Sequence, residues 1–509
     1  MKVLLVSPPR QLWPYMNEQD NFLLPQHLPC LAAVLRQAGI DVQVIDCMPE
    51  KMGWKSLESR IRDIAPDVIA AGENHAAYAS EVVKLVDMAK KVLPESYIVL
   101  GGAHFTNVGH LYLTEHPIDF IVRGEGEITF VELVKTLAGG RREDAYGLEG
   151  LSYLRDGEVV RTPARSLAPN LDDLPMPAYD LMPMDRYGTS RYLFSPGGTT
   201  IHHSRGCAAN CRFCVWWTQM ADRKTGCAQD ELTPRWRTKS VERTIEEMEV
   251  LHKQFDKQCL VFTDPSFNLD SEWNDRFAEA LIKKDWDLTF FAFMRSDCIL
   301  RDEKRGIMEK LVRAGLIHVC IGVERADDAD LRDFNKKFNR HKDTHEAFRL
   351  LKERYPVVFR QGTFILGTRN ESRESMWRQF DFAKRLEVDY PAFHAMTPFP
   401  GTDLWVEANE NGWIEINDFD YFDLSTPVMS TEHMAREEVE QELVKLSGKY
   451  VTFSWLLKGL LSRHTYRRRM FVWFLMVSLK IFFEQVKNLV NPFNARHYTG
   501  LVKPDWYDS

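Results

Sequence analysis

Uninterrupted apolar runs of the ~20 residues that a membrane-spanning helix needs are missing from this 509-residue chain. Missing too is any basic excess: 65 Lys and Arg against 73 Asp and Glu leave a net charge of −8, which gives no general attraction to nucleic acid. The amino terminus has neither the apolar region nor the cleavage site of a signal peptide. Met1 is followed at once by the strand-like run Lys2-Val3-Leu4-Leu5-Val6, and a cytoplasmic location is expected. Cysteine is scarce, nine residues in all, odd in number and without disulfide-framework spacing, which excludes a stapled secreted scaffold. What is present is ordinary for a folded chain, 44% hydrophobic and 27% charged residues, and the length is too great for one core.

The fold class read from the pattern is α/β. Over the first third, strand-like runs at 3–6, 42–46, 68–72 and 98–100 alternate with amphipathic stretches at 31–37, 57–64 and 82–92. This βαβα rhythm predicts a Rossmann-like domain over 1–140, with its ligand crevice at the carboxyl ends of the strands. Residues 141–195 hold a hairpin-like stretch at 151–160 and the segment Asn170-Leu171-Asp172-Asp173-Leu174-Pro175-Met176-Pro177, which read as a linker. Six strand–helix units follow, with strands near 200–203, 259–263, 289–294, 319–323, 361–366 and 390–396, and predict a partial (β/α)6 barrel over 196–405. A small helical region is expected over 406–509.

Cys207, Cys211 and Cys214 fall within eight residues, in Ser204-Arg205-Gly206-Cys207-Ala208-Ala209-Asn210-Cys211-Arg212-Phe213-Cys214. Thiolates so spaced converge from one loop on an iron–sulfur cluster, and three ligands for four irons leave one iron open for chemistry. Joined by Cys227, they would instead build a closed four-thiolate zinc site. Cys30, Cys47, Cys259, Cys298 and Cys320 sit in apolar surroundings and are expected to be buried thiols. Read alone, Asp264 and Arg295 form a pair across neighbouring strands, and Glu324 is a carboxylate favoured by the start of a helix. Trp216 and Trp217 are expected either to line an active-site mouth or to pack in the core, as paired tryptophans commonly do.

The spacing Cys207-x-x-x-Cys211-x-Phe213-Cys214 resembles the signature of the radical SAM superfamily. In the expected order beside it stand Phe262-Thr263-Asp264-Pro265-Ser266-Phe267, Arg295-Ser296-Asp297, Gly322-Val323-Glu324, Gly362-Thr363-Phe364-Ile365-Leu366-Gly367 and Pro398-Phe399-Pro400-Gly401-Thr402. The resemblance implies a [4Fe-4S] cluster on Cys207, Cys211 and Cys214 whose open iron chelates S-adenosyl-L-methionine (SAM). One electron then cleaves SAM to methionine and a 5′-deoxyadenosyl radical. It also implies SAM contacts from Phe213, Asp264, Ser266, Arg295, Glu324, Gly362, Ile365 and Gly367. Asp264 and Glu324 suit the ammonium or ribose hydroxyls and Arg295 the carboxylate.

The first 140 residues resemble the cobalamin-binding domain found ahead of radical SAM barrels. The resemblance rests on the Pro8-Pro9 loop, the Gly101-Gly102-Ala103-His104 turn and Arg123-Gly124-Glu125-Gly126-Glu127. It implies cobalamin contacts from Ser7, Pro8, Pro9, Asn74, His75, Gly101, Gly102, His104, Gly124, Glu125 and Glu127. The Asp-x-His-x-x-Gly motif of cobalt-ligating methyltransferases is absent, and the resemblance puts either Asn74 or His75 near cobalt.

The domain order resembles the class B radical SAM methyltransferases, which implies transfer of a methyl group from methylcobalamin to a carbon radical without a protein general base. An anaerobic oxidative cyclase of bacteriochlorophyll synthesis has the same order and is the alternative reaction. A non-catalytic cobalamin sensor is the alternative from another class. The implied partners are an apolar or tetrapyrrole-like small-molecule substrate and a flavodoxin- or ferredoxin-type reductant. Near the carboxyl terminus, Arg463-His464-Thr465-Tyr466-Arg467-Arg468-Arg469 precedes an aromatic-rich apolar stretch that is nonpolar nearly all round, which predicts burial against the barrel. The same cationic pattern over 463–490 also fits peripheral contact with the inner membrane face.

Overall fold

The computed structural model describes residues 1–12, 22–226, 230–490 and 501–509. Its first sheet contains β1 (Lys2–Ser7), β2 (Asp41–Asp46), β3 (Val68–Gly72), β4 (Tyr97–Gly101), β5 (Phe120–Val122), β6 (Leu151–Arg155) and β7 (Glu158–Arg161), in the spatial order 2-1-3-4-5-6-7. The first five strands are parallel. Runs such as Val3-Leu4-Leu5-Val6, apolar on both faces, suit strands covered by helices on either side. The strand order reverses between β1 and β3, and a crevice opens beyond the carboxyl ends of strands at such a switch point.

The β6–β7 hairpin, expected inside the linker, pairs antiparallel with β5 (Ile121 opposite Ser152) and extends the first sheet to residue 161. The rest of the connector is packed as well. Tyr187 donates its hydroxyl hydrogen to Asp46 at 2.6 Å, Tyr179 does the same to Glu247 at 2.6 Å, and both rings lie in the core shared by the two halves.

The second sheet holds β8 (Gly198–Ile201), β9 (Cys259–Phe262), β10 (Thr289–Phe293), β11 (Leu316–Glu324), β12 (Phe359–Leu366) and β13 (Tyr390–Ala395). All six are parallel and adjacent in chain order, the expected partial barrel. Helices Arg436–Tyr450, Phe453–Leu460 and Thr465–Val490 follow. In the last of these, Tyr466, Met470, Phe471, Trp473 and Phe474 pack on Ile317, Phe359 and Tyr390 at the starts of β11, β12 and β13. The helix thereby closes the barrel end opposite the cysteine loop. Arg467 fixes it there, at 2.7 Å from Asp389, which also holds Arg360 at 2.9 Å. Among the described residues no helix is long and apolar enough to cross a membrane.

Candidate active site

The cysteine loop leaves β8 through a short strand, Ser204–Gly206, that pairs with Trp236–Thr238. Gly206 has φ +78°, and a Cβ there would overlap the Arg235 carbonyl, so the turn into Cys207 requires glycine. The Cys211 carbonyl accepts from Trp217 Nε1 at 3.0 Å and from the Cys214 N–H at 3.2 Å, while the Arg212 N–H reaches Phe334 O at 3.1 Å. All three thiols share the wall of one chamber of about 450 Å3. Burial pushes Cys211 up to about 11 and Cys214 to about 12, so ligation releases their protons. Among the described residues no three His, Cys, Asp or Glu converge tightly enough for a single metal ion. Cys227, the fourth thiol of the zinc alternative, lies outside the described residues. Three thiolates around a chamber fit a cluster on an open loop.

Phe213, Asp264, Ser266, Arg295, Glu324 and Ile365 line the same chamber. Their commitments differ. Asp264 does not pair with Arg295: its Oδ1 accepts from Ser204 N at 2.5 Å and Ser204 Oγ at 2.6 Å, and lies 2.9 Å from His203 Nδ1. Although burial opposes it, His203 and Ser204 hold the Asp264 carboxyl below the usual range. Through Oδ1 it braces the strand that enters the cysteine loop, while Oδ2 has only the His203 N–H at 3.4 Å. Arg295 bonds Asp297 at 2.7 Å, and its guanidinium lies 3.6 Å from the centroid of the Phe338 ring. Glu324, in the left-handed region with φ +62°, accepts from Lys336 Nζ at 2.6 Å and Thr363 Oγ1 at 3.2 Å.

Gly362 and Gly367, expected beneath the adenine, are not in this wall. Side chains alternate along β12, so Thr363 and Ile365 face the chamber, whereas a Cβ on Gly362 would meet Val323 and Val388. Thr363, Lys336, Asn339 and His394 are polar lining residues that motif reading missed, because each belongs to the register of its own strand or loop.

The crevice of the first sheet is a second cavity of about 420 Å3, lined by Gly101, Gly102, Gly124, Glu125 and Glu127 among others. Gly102, at φ +83°, lies against the Glu73 carbonyl, which a Cβ would overlap. Gly101 faces open space apart from Val122 O at 3.6 Å, a cradle that any side chain would begin to fill. Gln26 Oε1 and His27 Nε2 are buried on this wall without partners, polar atoms suited to an amide-rich ligand. The lining fits a cobalamin. Ser7, Pro8 and Pro9 are buried behind it, and the residue they aim into the crevice is Arg10, 2.6 Å from Glu73. His104 is also withdrawn, bonded to Tyr112 at 2.9 Å and packed on Phe105 and Phe419. Cys30, expected to be buried, is half-buried because it borders the crevice. Glu125 and Glu127 turn to the barrel: Arg205 lies 3.3 Å from Glu125 and 2.6 Å from Glu127.

Asn74, Trp216, Gln219, Thr263 and Pro265 belong to both linings, so crevice and chamber meet at one seam. Asn74 is pinned by the Ala103 N–H at 3.0 Å. His75 lies on the chamber side only, its Nδ1 buried without a partner, and burial together with Arg10 lowers the ring to about 4. Trp216 is about half exposed at the seam, while Trp217 is buried.

The B12 binding domain family matches residues 16–134, and the Radical SAM superfamily matches 201–383. An uncharacterized methyltransferase of Pyrococcus horikoshii is 31% identical over 89% of this chain and 92% of its own length. The anaerobic magnesium-protoporphyrin IX monomethyl ester cyclase of Rubrivivax gelatinosus is 29% identical over 91% of this chain and 80% of its own. In fold, the radical S-adenosylmethionine methyltransferase TsrM from Kitasatospora setae, solved with cobalamin and a [4Fe-4S] cluster, superposes with a TM-score of 0.67 at 16% identity, over 94% of this chain and 99% of that one. The chain belongs to the cobalamin-dependent radical SAM methyltransferase family, whose cofactors are a [4Fe-4S] cluster, SAM and cobalamin.

Proposed function

We propose that this enzyme methylates an unactivated carbon of a small, largely apolar substrate held in the cysteine chamber. The observation that carries the reading is the seam, where Asn74, Trp216, Gln219, Thr263 and Pro265 line both cavities and give a methyl group in the crevice a direct route to a substrate in the chamber. When bound, the cluster and SAM supply a radical and cobalamin supplies the methyl group. The chain's part is positional. Cys207, Cys211 and Cys214 hold the cluster; Ser266, Arg295, Glu324, Thr363 and Ile365 are the groups on hand for SAM; Phe293, Met294, Met396 and Phe399 keep water from the reacting carbon. A carbon without an acidic proton needs no protein base, and none is assigned. A tetrapyrrole-like molecule is one form such a substrate takes, and a flavodoxin- or ferredoxin-type protein is the reductant in this reading.

The experiment is turnover of candidate apolar substrates under anaerobic conditions with SAM labelled in its methyl group. A product that carries the label supports the reading. A substrate that is consumed to an unlabelled, oxidised product assigns the cyclase alternative instead.

A further inference from the structure

The segment Val451–Val486 contains six lysines and arginines against one acid, Glu484, in a chain of net charge −8. Its two helices cross where Gly459 lies against the Phe471 ring, a contact that leaves no room for a Cβ. On the first helix, Trp455 and Gly459 face the second, and Phe453, Leu457 and Leu461 recur every fourth residue on the opposite side. Phe453 is 81% and Leu461 73% exposed.

The long helix divides in the same way. Over its first three turns, Tyr466, Met470, Trp473 and Phe474 face the barrel. Further on, Leu479, Phe482, Phe483 and Val486 repeat the i, i+3, i+4, i+7 spacing of one helical face but are all exposed, Phe483 by 58%. At 100° per residue, this second stripe is turned by roughly half a revolution from the one on the barrel, so the helix extends an apolar face that the barrel cannot cover. Seven exposed apolar side chains on two adjoining helices far exceed the scattered singles of an ordinary surface. Lys458, Arg463 and Arg468, all exposed, stand around the junction of the two helices, with Lys458 3.6 Å from Glu387.

We infer that these two stripes dock the protein onto the surface of an anionic lipid bilayer, with Phe453, Leu461, Phe482 and Phe483 in the interfacial layer and Lys458, Arg463 and Arg468 among the head groups. Anionic lipid is the occupant that answers both the apolar stripes and the cationic excess at the junction of the two helices. The surface lies at the closed end of the barrel, so docking leaves the cysteine loop and crevice facing away from the membrane. Docking of this kind is independent of which reaction the chamber performs.

The test is flotation of the full chain with vesicles of phosphatidylcholine alone and of phosphatidylcholine with phosphatidylglycerol, at low and high salt. Wild type is expected to float only with the anionic vesicles and to be released by salt. The double variant Phe482→Ser, Phe483→Ser is expected to lose binding by about tenfold or more while its circular dichroism and cobalamin binding stay unchanged. A charge variant, Arg463→Glu with Arg468→Glu, is expected to lose it equally. Failure of the wild type to float, or unchanged flotation of both variants, overturns the inference. So does a dimer in sedimentation velocity that the Phe482/Phe483 variant dissociates, because the face would then belong to a second copy.

Discussion

Arg205, two residues ahead of Cys207, reaches across the domain boundary to Glu127 at 2.6 Å and Glu125 at 3.3 Å, and Arg237 joins Glu125 from the neighbouring strand. All four side chains are nine-tenths buried. The cysteine loop is therefore held in place by the amino-terminal domain.

Removing one partner from such a group leaves uncompensated buried charge. Arg205→Met is expected to lower unfolding stability by roughly 3–5 kcal/mol and to reduce iron content after reconstitution. Denaturant unfolding with iron quantitation checks it, and a loss below about 1 kcal/mol would show the contact to be incidental.

Replacement of Cys211 by Ala should abolish cluster assembly and SAM cleavage while cobalamin binding persists, because the crevice lies on the other side of the seam. Iron assay, deoxyadenosine release and cobalamin absorbance report the three separately. Intact SAM cleavage in this variant would contradict the assignment of the triad.

The two crevice glycines should part company. Gly101→Ala folds, since its added methyl meets only Val122 O at 3.6 Å, but weakens cobalamin binding by occupying the cradle. Gly102→Ala, at φ +83° against the Glu73 carbonyl, is expected to destabilise the domain itself. Equal melting temperatures for the two variants would remove this distinction.

Buried neutral histidines set a pH window. Burial lowers both His104 and His318 from 6.5 to about 3. Such rings bind a proton on unfolding but not when folded, so their contribution is fully present above pH 6.5 and is lost progressively as pH falls from there toward about 3. Each ring is expected to account for about 2 kcal/mol of lost stability by roughly pH 5. Thermal melts across this window check the slope, and a flat profile that His318→Gln leaves unchanged would contradict it.

Local pattern carried the two sheets and the cysteine loop into view. A strand's apolar run and a three-cysteine spacing are determined by neighbours in sequence, so they survive without tertiary context. Side-chain aim does not. The Gly362–Gly367 motif pointed to the right strand and to Ile365, but alternation along β12 brings Thr363 rather than Gly362 to the chamber beside it. Asp264 has the charge for an ammonium group, yet its partners His203 and Ser204 sit some sixty residues earlier in the chain. Glu125 and Glu127 line the crevice, but no local motif announces that Arg205 and Arg237 reach them from the barrel. The long carboxyl-terminal helix reads as apolar all round because it carries two stripes, one for the barrel and one exposed; only the barrel's closed end separates them.

The stoichiometry of SAM use tests methyl transfer across the seam most directly. In anaerobic turnover of a substrate that the enzyme consumes, 5′-deoxyadenosine and S-adenosylhomocysteine should accumulate together, each in step with methylated product, since one SAM supplies the radical and another the methyl group. Deoxyadenosine formed with substrate loss but without S-adenosylhomocysteine would contradict methyl transfer across the seam.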